Sequence, residues 1–275
     1  MTALAFLGVA IASFVAFLIA ERVSPRPMFD FSVFRTPEFS GAILGSAAMN
    51  ISFWPFMIYL PIWFQAGFGY DSMTAGLALL AYTLPALVMP PVAERLALRF
   101  RPSLVIPAGL FTIGLGFMLM RLGSAAAHAD WRTMLPGCLV AGIGLGLTNT
   151  PVTNTTTGSV SRDRAGMASG IDMSARMIAL AINIAVMGFI LAGGAADALQ
   201  AAAPSGLDPA ALHHLAESIA AGTTVSLPGL PDAAFHAALA EGFSRVMLYG
   251  GCSVWLLSGA SFLIFNARAL RPVRT

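Results

Sequence analysis

The chain has 275 residues, 57% of them hydrophobic and only 10% charged, where a soluble domain carries roughly 25% charged residues. With a mean hydropathy of +0.78, this excludes a water-soluble globular domain and defines an integral membrane protein. All fifteen basic residues are Arg; the lack of Lys excludes a retinal photoreceptor, which needs a Schiff-base Lys, and the net charge of +2 matters less than where those Arg fall.

A spanning helix needs about 20 mostly apolar residues. Seven runs qualify, at residues 3–20, 39–66, 73–92, 103–122, 133–152, 174–193 and 243–265. They are continuous rather than alternating, and lipid cannot satisfy free backbone groups, so helices are predicted and a barrel is not. The first run has no basic stretch before it and a poor cleavage site after it, so it reads as a retained span rather than a signal peptide. The connector at 21–38 carries Pro25, Pro27 and Pro37 and should run extended at headgroup level. In the second run Gly41 and Gly45 permit close helix approach. Pro55 and Pro61 should bend it, and Tyr59, Trp63 and Tyr70 suit an aromatic belt. The third run holds Pro85, Pro90 and Pro91, which predict a broken helix, a form that often marks transporter sites. Beyond it, Glu94, Arg95 and Arg99 read as an electrostatic clamp, with Glu94 pairing to one of the two Arg or to a neighbouring helix end.

The fifth run contains Gly142, Gly144 and Gly146. No strand precedes them, so they predict close helix packing, not a nucleotide loop. The run ends in a patch of hydroxyl and amide side chains from Thr148 to Thr157. Asp172 and Arg176 open the sixth run, four apart on one helix face, within about one turn of its polar end. They allow two readings. The pair neutralises itself near the interface, or Asp172 has a charge role, because a carboxylate in a membrane helix is costly. The segment 194–242 should hold a short helix with Asp208 as N-cap, Pro209 in its first turn and its end at Ala221. Pro228 and Pro231 then precede a helix running from Asp232 into the last run. His213, His214 and His236 have no acid or Cys at ligand spacing, so no metal is expected. Cys138 and Cys252 lie in apolar runs and should be small buried hydrophobes.

Arg placement supports this register independently. Arg22, Arg26 and Arg35, then Arg95, Arg99 and Arg101, then Arg162 and Arg164, then Arg268, Arg271 and Arg274 all fall on one side if the seven runs alternate. The loops at 67–72 and 194–242 have no basic residue. The positive-inside rule then predicts a multi-pass protein of the cytoplasmic membrane with its N-terminus outside and its C-terminus in the cytoplasm. Arg121, Arg132 and Arg245 are exceptions at outer span ends, where Arg can snorkel.

Four stretches, taken in order, resemble the fourteen-span drug:proton antiporters of the major facilitator superfamily. They are RPMFDFSVFRTPEFSGA before the second run, YLPIWFQAGFGYDSMTAGLALLAYTLPALVMPPVAERLALRF across the third, AGMASGIDMSARMIALAINIAVMGFIL at the sixth, and AAFHAALAEGFSRVMLYGGCSVWLL at the last. Each is loose alone; their order and spacing make the likeness specific. It covers essentially the whole chain but only the second half of such a transporter. The resemblance implies an all-α polytopic membrane protein with seven transmembrane helices: one extra central helix and connector at 1–38, then a six-helix C-terminal bundle at 39–275. It further implies proton-coupled efflux of hydrophobic, multidrug-type compounds. The resemblance leaves the family's N-terminal bundle, with its membrane-embedded acid, unmatched in these 275 residues, so the chain is expected to be incomplete alone. The expected partners are therefore the lipid bilayer, a hydrophobic small-molecule substrate, a proton, and either a separate N-terminal half or a homodimer partner across the Gly41/Gly45 face. Relatives tend to carry Gly where this chain has Ala179 and Asn183. Asn50, Trp54, Tyr82, Asn149 and Asn183 are cavity candidates, each alternatively a packing residue. Asp172, Arg176, Glu94, Arg95 and Arg99 are the gating or charge candidates. No cofactor, metal or nucleic acid is expected, and no GxSxG or HExxH pattern supports an enzyme. The alternative function is a non-transporting membrane scaffold or the remnant of a truncated gene.

Overall fold

A computed structural model describes residues 2–23, 30–126, 129–202, 209–222 and 231–267. The helices are α1 (Thr2–Val23), α2 (Pro37–Ile51), α3 (Phe53–Ile62), α4 (Ser72–Val88), α5 (Pro90–Phe100), α6 (Pro102–Ser124), α7 (Trp131–Gly158), α8 (Ala165–Ala202), α9 (Pro209–Ala220) and α10 (Asp232–Phe265). Short 3-10 turns occupy Phe31–Arg35 and Arg162–Arg164, and a π turn extends α3 over Trp63–Gly67. No strand occurs among the described residues, as expected where backbone groups must bond within their own segment. The chain is an all-α polytopic membrane protein. Five continuous stretches are long and apolar enough to cross a membrane, and α4 with α5 forms a sixth, bent by 42°. α1 has 22 residues, enough for about 33 Å at 1.5 Å per residue.

Proline sets most of the boundaries. Pro37, Pro90 and Pro102 open α2, α5 and α6, where the missing N–H has no intrahelical partner to lose. Pro90 and Pro91 also make the expected break in the third span, which falls at Met89. Pro55 removes the N–H that would bond Ile51, and α2 gives way to α3 at Ser52. Acidic caps start α4 and α7. Asp71 accepts from the Thr74 amide at 3.0 Å, and Asp130 forms a capping box with Thr133 on α7. α5 and α6 are joined through Arg101 alone, the one non-glycine residue with positive φ among those described (φ 70°).

The core lies where α2–α3, α4, α6, α7 and α10 meet. Tyr82 stacks on Phe53 with centroids 4.0 Å apart. Phe56 contacts Phe117 and Phe243, and Trp63 contacts Phe243. α6 and α7 approach so closely that a Cβ at Gly144 would come within 2.6 Å of the Ile113 amide nitrogen, and one at Gly116 within 2.5 Å of that of Ala141. The Gly142–Gly146 motif works on two sides, since Gly142 and Gly146 face Tyr82, Pro85 and Met89 of the α4 side.

Some expectations need correction. Gly41 and Gly45 do not face a homodimer partner. Gly41 lies under Phe265 and accepts from Ser261, and Gly45 lies under Ile106 and Val152, so that face is filled inside the chain. Cys252 is exposed on α10, whereas Cys138 is buried. The described part of the connector is a 3-10 turn rather than extended chain, because Asp30 caps it through the Ser32 amide at 2.9 Å. The sixth helix starts at Ala165, not Ser174, and α8 and α10 run for 38 and 34 residues. α9 lies where a short helix was expected and buries Leu212, Leu215, Ala216 and Ile219. Its expected cap Asp208, together with Pro25, Pro27, Arg26, Pro228, Arg268, Arg271 and Arg274, lies outside the described residues. Every described side chain of α1 is exposed.

Candidate functional site

One end of the bundle gathers the basic residues: Arg162 and Arg164 before α8, Arg99 in the last turn of α5 and Arg101 between α5 and α6. Arg164 there binds Asp30 at 2.6 Å. Because α8 begins at Ala165, Asp172 sits two turns inside the helix rather than one turn from its end. Its side chain is 9% exposed, and Oδ2 accepts from Arg176 Nε at 3.0 Å. The same guanidinium donates to Asn149 Oδ1 at 2.8 Å and to Thr153 Oγ1 at 3.1 Å, both on α7. Arg176 thus ties α8 to α7, and the constellation is Asp172, Arg176, Asn149 and Thr153. The second carboxylate oxygen, Asp172 Oδ1, is buried without a hydrogen-bond partner.

The hydroxyl patch that leads into this site is largely self-contained. Thr148, Thr153, Thr156 and Thr157 each donate to the carbonyl four residues back, at 2.8–3.1 Å. Such back-bonding lets a polar sequence run inside lipid without water.

Of the other amide and aromatic candidates, Asn183 and Tyr82 link helices, while Asn50 and Trp54 have partners within their own helix. Asn183 is buried, donates to Ala179 O at 2.8 Å and accepts from Tyr249 of α10 at 2.5 Å. Asn50 is 3% exposed and donates to Ser46 O. Trp54 is half-buried and packs edge-on against Phe53. Tyr82 is fully buried, donates to Phe53 O at 3.0 Å and lies in the aromatic core, the packing alternative for this residue. Neither Glu94 nor Arg95 nor Arg99 forms an ion pair among the described residues. Residues one and five apart point in different directions on a helix, so Glu94 reaches neither Arg. Instead Glu94 faces a cavity of about 600 Å³ with Glu38, Arg101, Asn154, Thr155 and Ser159, and Arg99 lies over the Phe100 ring.

At the opposite end is a network that sequence reasoning missed. Arg245 binds Asp197 at 2.5 Å and Glu241 at 2.8 Å, while Gly194 and Gly242 bring α8 and α10 together. Arg121 donates to Ser244 at 3.0 Å. No group of three His, Cys, Asp or Glu able to hold a metal occurs among the described residues.

Five continuous crossings and one bent pair, packed on one aromatic core with polar groups paired between helices, form a helical membrane bundle. The sequence profile of the Major Facilitator Superfamily matches residues 39–207, more than half of the chain. The chain belongs to that superfamily. It is 29% identical over 204 residues to the Multidrug resistance protein Stp of Mycobacterium tuberculosis, covering 74% of this chain and 37% of that protein. It is 28% identical over 186 residues to the Quinolone resistance protein NorB of Staphylococcus aureus, covering 68% of this chain and 40% of that protein. The match therefore spans less than half the length of these relatives.

Proposed function

We propose that this chain supplies the C-terminal bundle, residues 39–275, and the preceding helix, residues 1–38, of a proton-coupled exporter of hydrophobic compounds. The observation that carries the reading is architectural. Six crossings close on a single core, in a superfamily whose members rock two six-helix bundles around a midplane site. One bundle has no opposing wall, so transport requires an N-terminal bundle beside it. The names of the relatives, multidrug and quinolone resistance proteins, support hydrophobic drug-like substrates. In this reading the Arg-bearing end faces the cytoplasm, and the α7–α8 tie at Arg176 belongs to the inner gate.

The test is energised efflux of a lipophilic cationic dye from cells lacking their own exporters. The chain alone should give none, while co-expression with a matching N-terminal bundle should restore efflux that a protonophore abolishes. Efflux by the chain alone would remove the need for a partner bundle. No efflux with both bundles present in the membrane would remove transport and favour a scaffold.

A further inference from the structure

Sulfur gathers at one level of the bundle. Met120 of α6, Met134 and Cys138 of α7, and Met247 of α10 are all buried. The Cys138 thiol reaches across the α6–α7 gap and donates to Met120 Sδ, 3.6 Å away. The hydroxyls further along α7 instead turn back to carbonyls of their own helix. Met134 stands four residues before Cys138, one turn nearer the α6–α7 connection on the same face of α7. Its Sδ accepts from the Trp63 indole at 3.0 Å, a bond that uses one sulfur lone pair and leaves the other free. Met247 Sδ lies 3.9 Å from Ser124 Oγ, one turn beyond Met120 on α6.

Backbone contact sets the gap that the sulfurs bridge. A Cβ on Gly137 would strike the Met120 amide nitrogen, and one on Gly116 would strike that of Ala141. The charged side chains next in sequence are engaged elsewhere. Arg121 donates to Ser244, and Asp130 caps α7 through the Arg132 and Thr133 amides. The donors at this level are therefore one thiol and its neighbouring thioethers.

We infer that Met120, Met134 and Cys138 form a binding site for a soft monovalent cation of the copper(I) class. Thiolate and thioether ligands suit copper(I), whereas Mg2+ and Ca2+ take oxygen. Charge balance points the same way. One thiolate with two neutral thioethers leaves a bound monovalent ion neutral, while a divalent ion would keep a net charge in the apolar core, which is costly. On binding, the Cys138 S–H bond breaks, its proton leaves to the aqueous phase beyond the α6–α7 connection, and a metal–thiolate bond forms. Met120 and Met134 each donate a lone pair, no bond of theirs breaks, and the metal keeps its oxidation state. Three metal–sulfur bonds of about 2.3 Å in a plane set the sulfurs about 4.0 Å apart. That is a few tenths beyond the present Cys138–Met120 separation, an opening that the flexible Met120 side chain supplies. Cys138 lies seven residues past Trp131, about 10 Å along the helix, so the ion enters from the α6–α7 connection. The site stands whether or not the chain transports.

Silver ion, the air-stable probe of this class, tests it on the purified full chain with Cys252, the other cysteine, replaced by Ala. The Cys252→Ala chain should keep one silver ion per chain through desalting. Adding Cys138→Ala should abolish retention. Met120→Leu and Met134→Leu, which conserve volume, should each weaken silver binding at least tenfold, and they keep the test alive if Cys138→Ala fails to fold. X-ray absorption at the bound silver should show sulfur neighbours alone. No silver kept by the Cys252→Ala chain overturns the site. Affinity unchanged in Met120→Leu leaves a thiol binding by itself and overturns it too. An effect of Met120→Leu without one of Met134→Leu overturns the three-sulfur set. None of these readouts uses efflux, so their failure is distinct from failure of the transport reading.

Discussion

Without the Arg176 guanidinium, Asp172 would be a buried carboxylate with neither oxygen engaged. Removing one partner of a buried pair costs about 3–5 kcal/mol, whereas removing both with groups of similar shape is often nearly neutral. Arg176→Leu should therefore sharply lower the thermal midpoint in detergent, and Asp172→Asn combined with Arg176→Leu should recover part of the loss. The Tyr249–Asn183 bond, at 2.5 Å, belongs to a weaker class. Polar bonds between membrane helices average about 0.6 kcal/mol, so Tyr249→Phe should shift the midpoint only slightly. Arg101 carries backbone strain, with φ 70° and ψ 143°, a region close to that which only Gly adopts freely and which costs about 1–3 kcal/mol. Arg101→Gly should raise the thermal midpoint in detergent. Outside the spans, the Ser32 hydrogen bonds and the nearby Arg164 lower the pKa of Asp30, and the hydrogen bonds from Thr74 lower that of Asp71. A carboxylate with a depressed folded value stabilises above its ordinary value, about 3.9, and loses that contribution as pH falls through the depressed one. The protection factors of the Ser32 and Thr74 amides, taken against the intrinsic exchange rate at each pH, should hold at neutral pH and fall in that acidic window. Protection factors that do not change with pH would contradict both caps.

Among the helices, the α6–α7 pair is the most sensitive to added volume. Overpacking a tight site costs about 1–3 kcal/mol. Gly144→Ala places a methyl near the Ile113 backbone, which cannot yield as a flexible side chain would. It should destabilise in a thermal melt, whereas Gly170→Ala, where nothing lies within 4 Å, should not. Element positions were largely legible because Pro and Asp act locally: Pro90 and Pro91 mark the break, and Pro231 precedes α10. The start of α8 was not. The stretch AGMASG is small and polar enough to read as a turn, yet it continues the helix, and hydropathy alone does not separate a helix end from the membrane edge. That misplacement put Asp172 a turn too shallow. The tie from Arg176 to Asn149 and Thr153 was equally hidden, since it depends on the packing of α7 against α8 rather than on spacing along either.

The whole molecule presents apolar side chains outward as well as inward. Met73, Leu77, Leu84, Leu87 and Val88 line the open side of α4, and Met177, Ile178, Ile182 and Phe189 that of α8. Their continuous apolar length marked these stretches as spans but could not tell which side of each would meet lipid and which a neighbouring helix. Asp197 and Arg245 are 48 residues apart, and no local signal joins them. The lengths of the helices have a further consequence, for bilayer thickness. α8 and α10, at 38 and 34 residues, reach about 57 and 51 Å at 1.5 Å per residue, far beyond a hydrocarbon layer of about 30 Å. They can slide through membranes of different thickness without exposing an end. α6, capped at Pro102 and Ser124 by its own connections, has 23 residues, about 34 Å, and no such slack. α6 is therefore the closest match to bilayer thickness within the packed bundle, and lipids with longer or shorter chains should act on it first through α6 and the α7 packed against it.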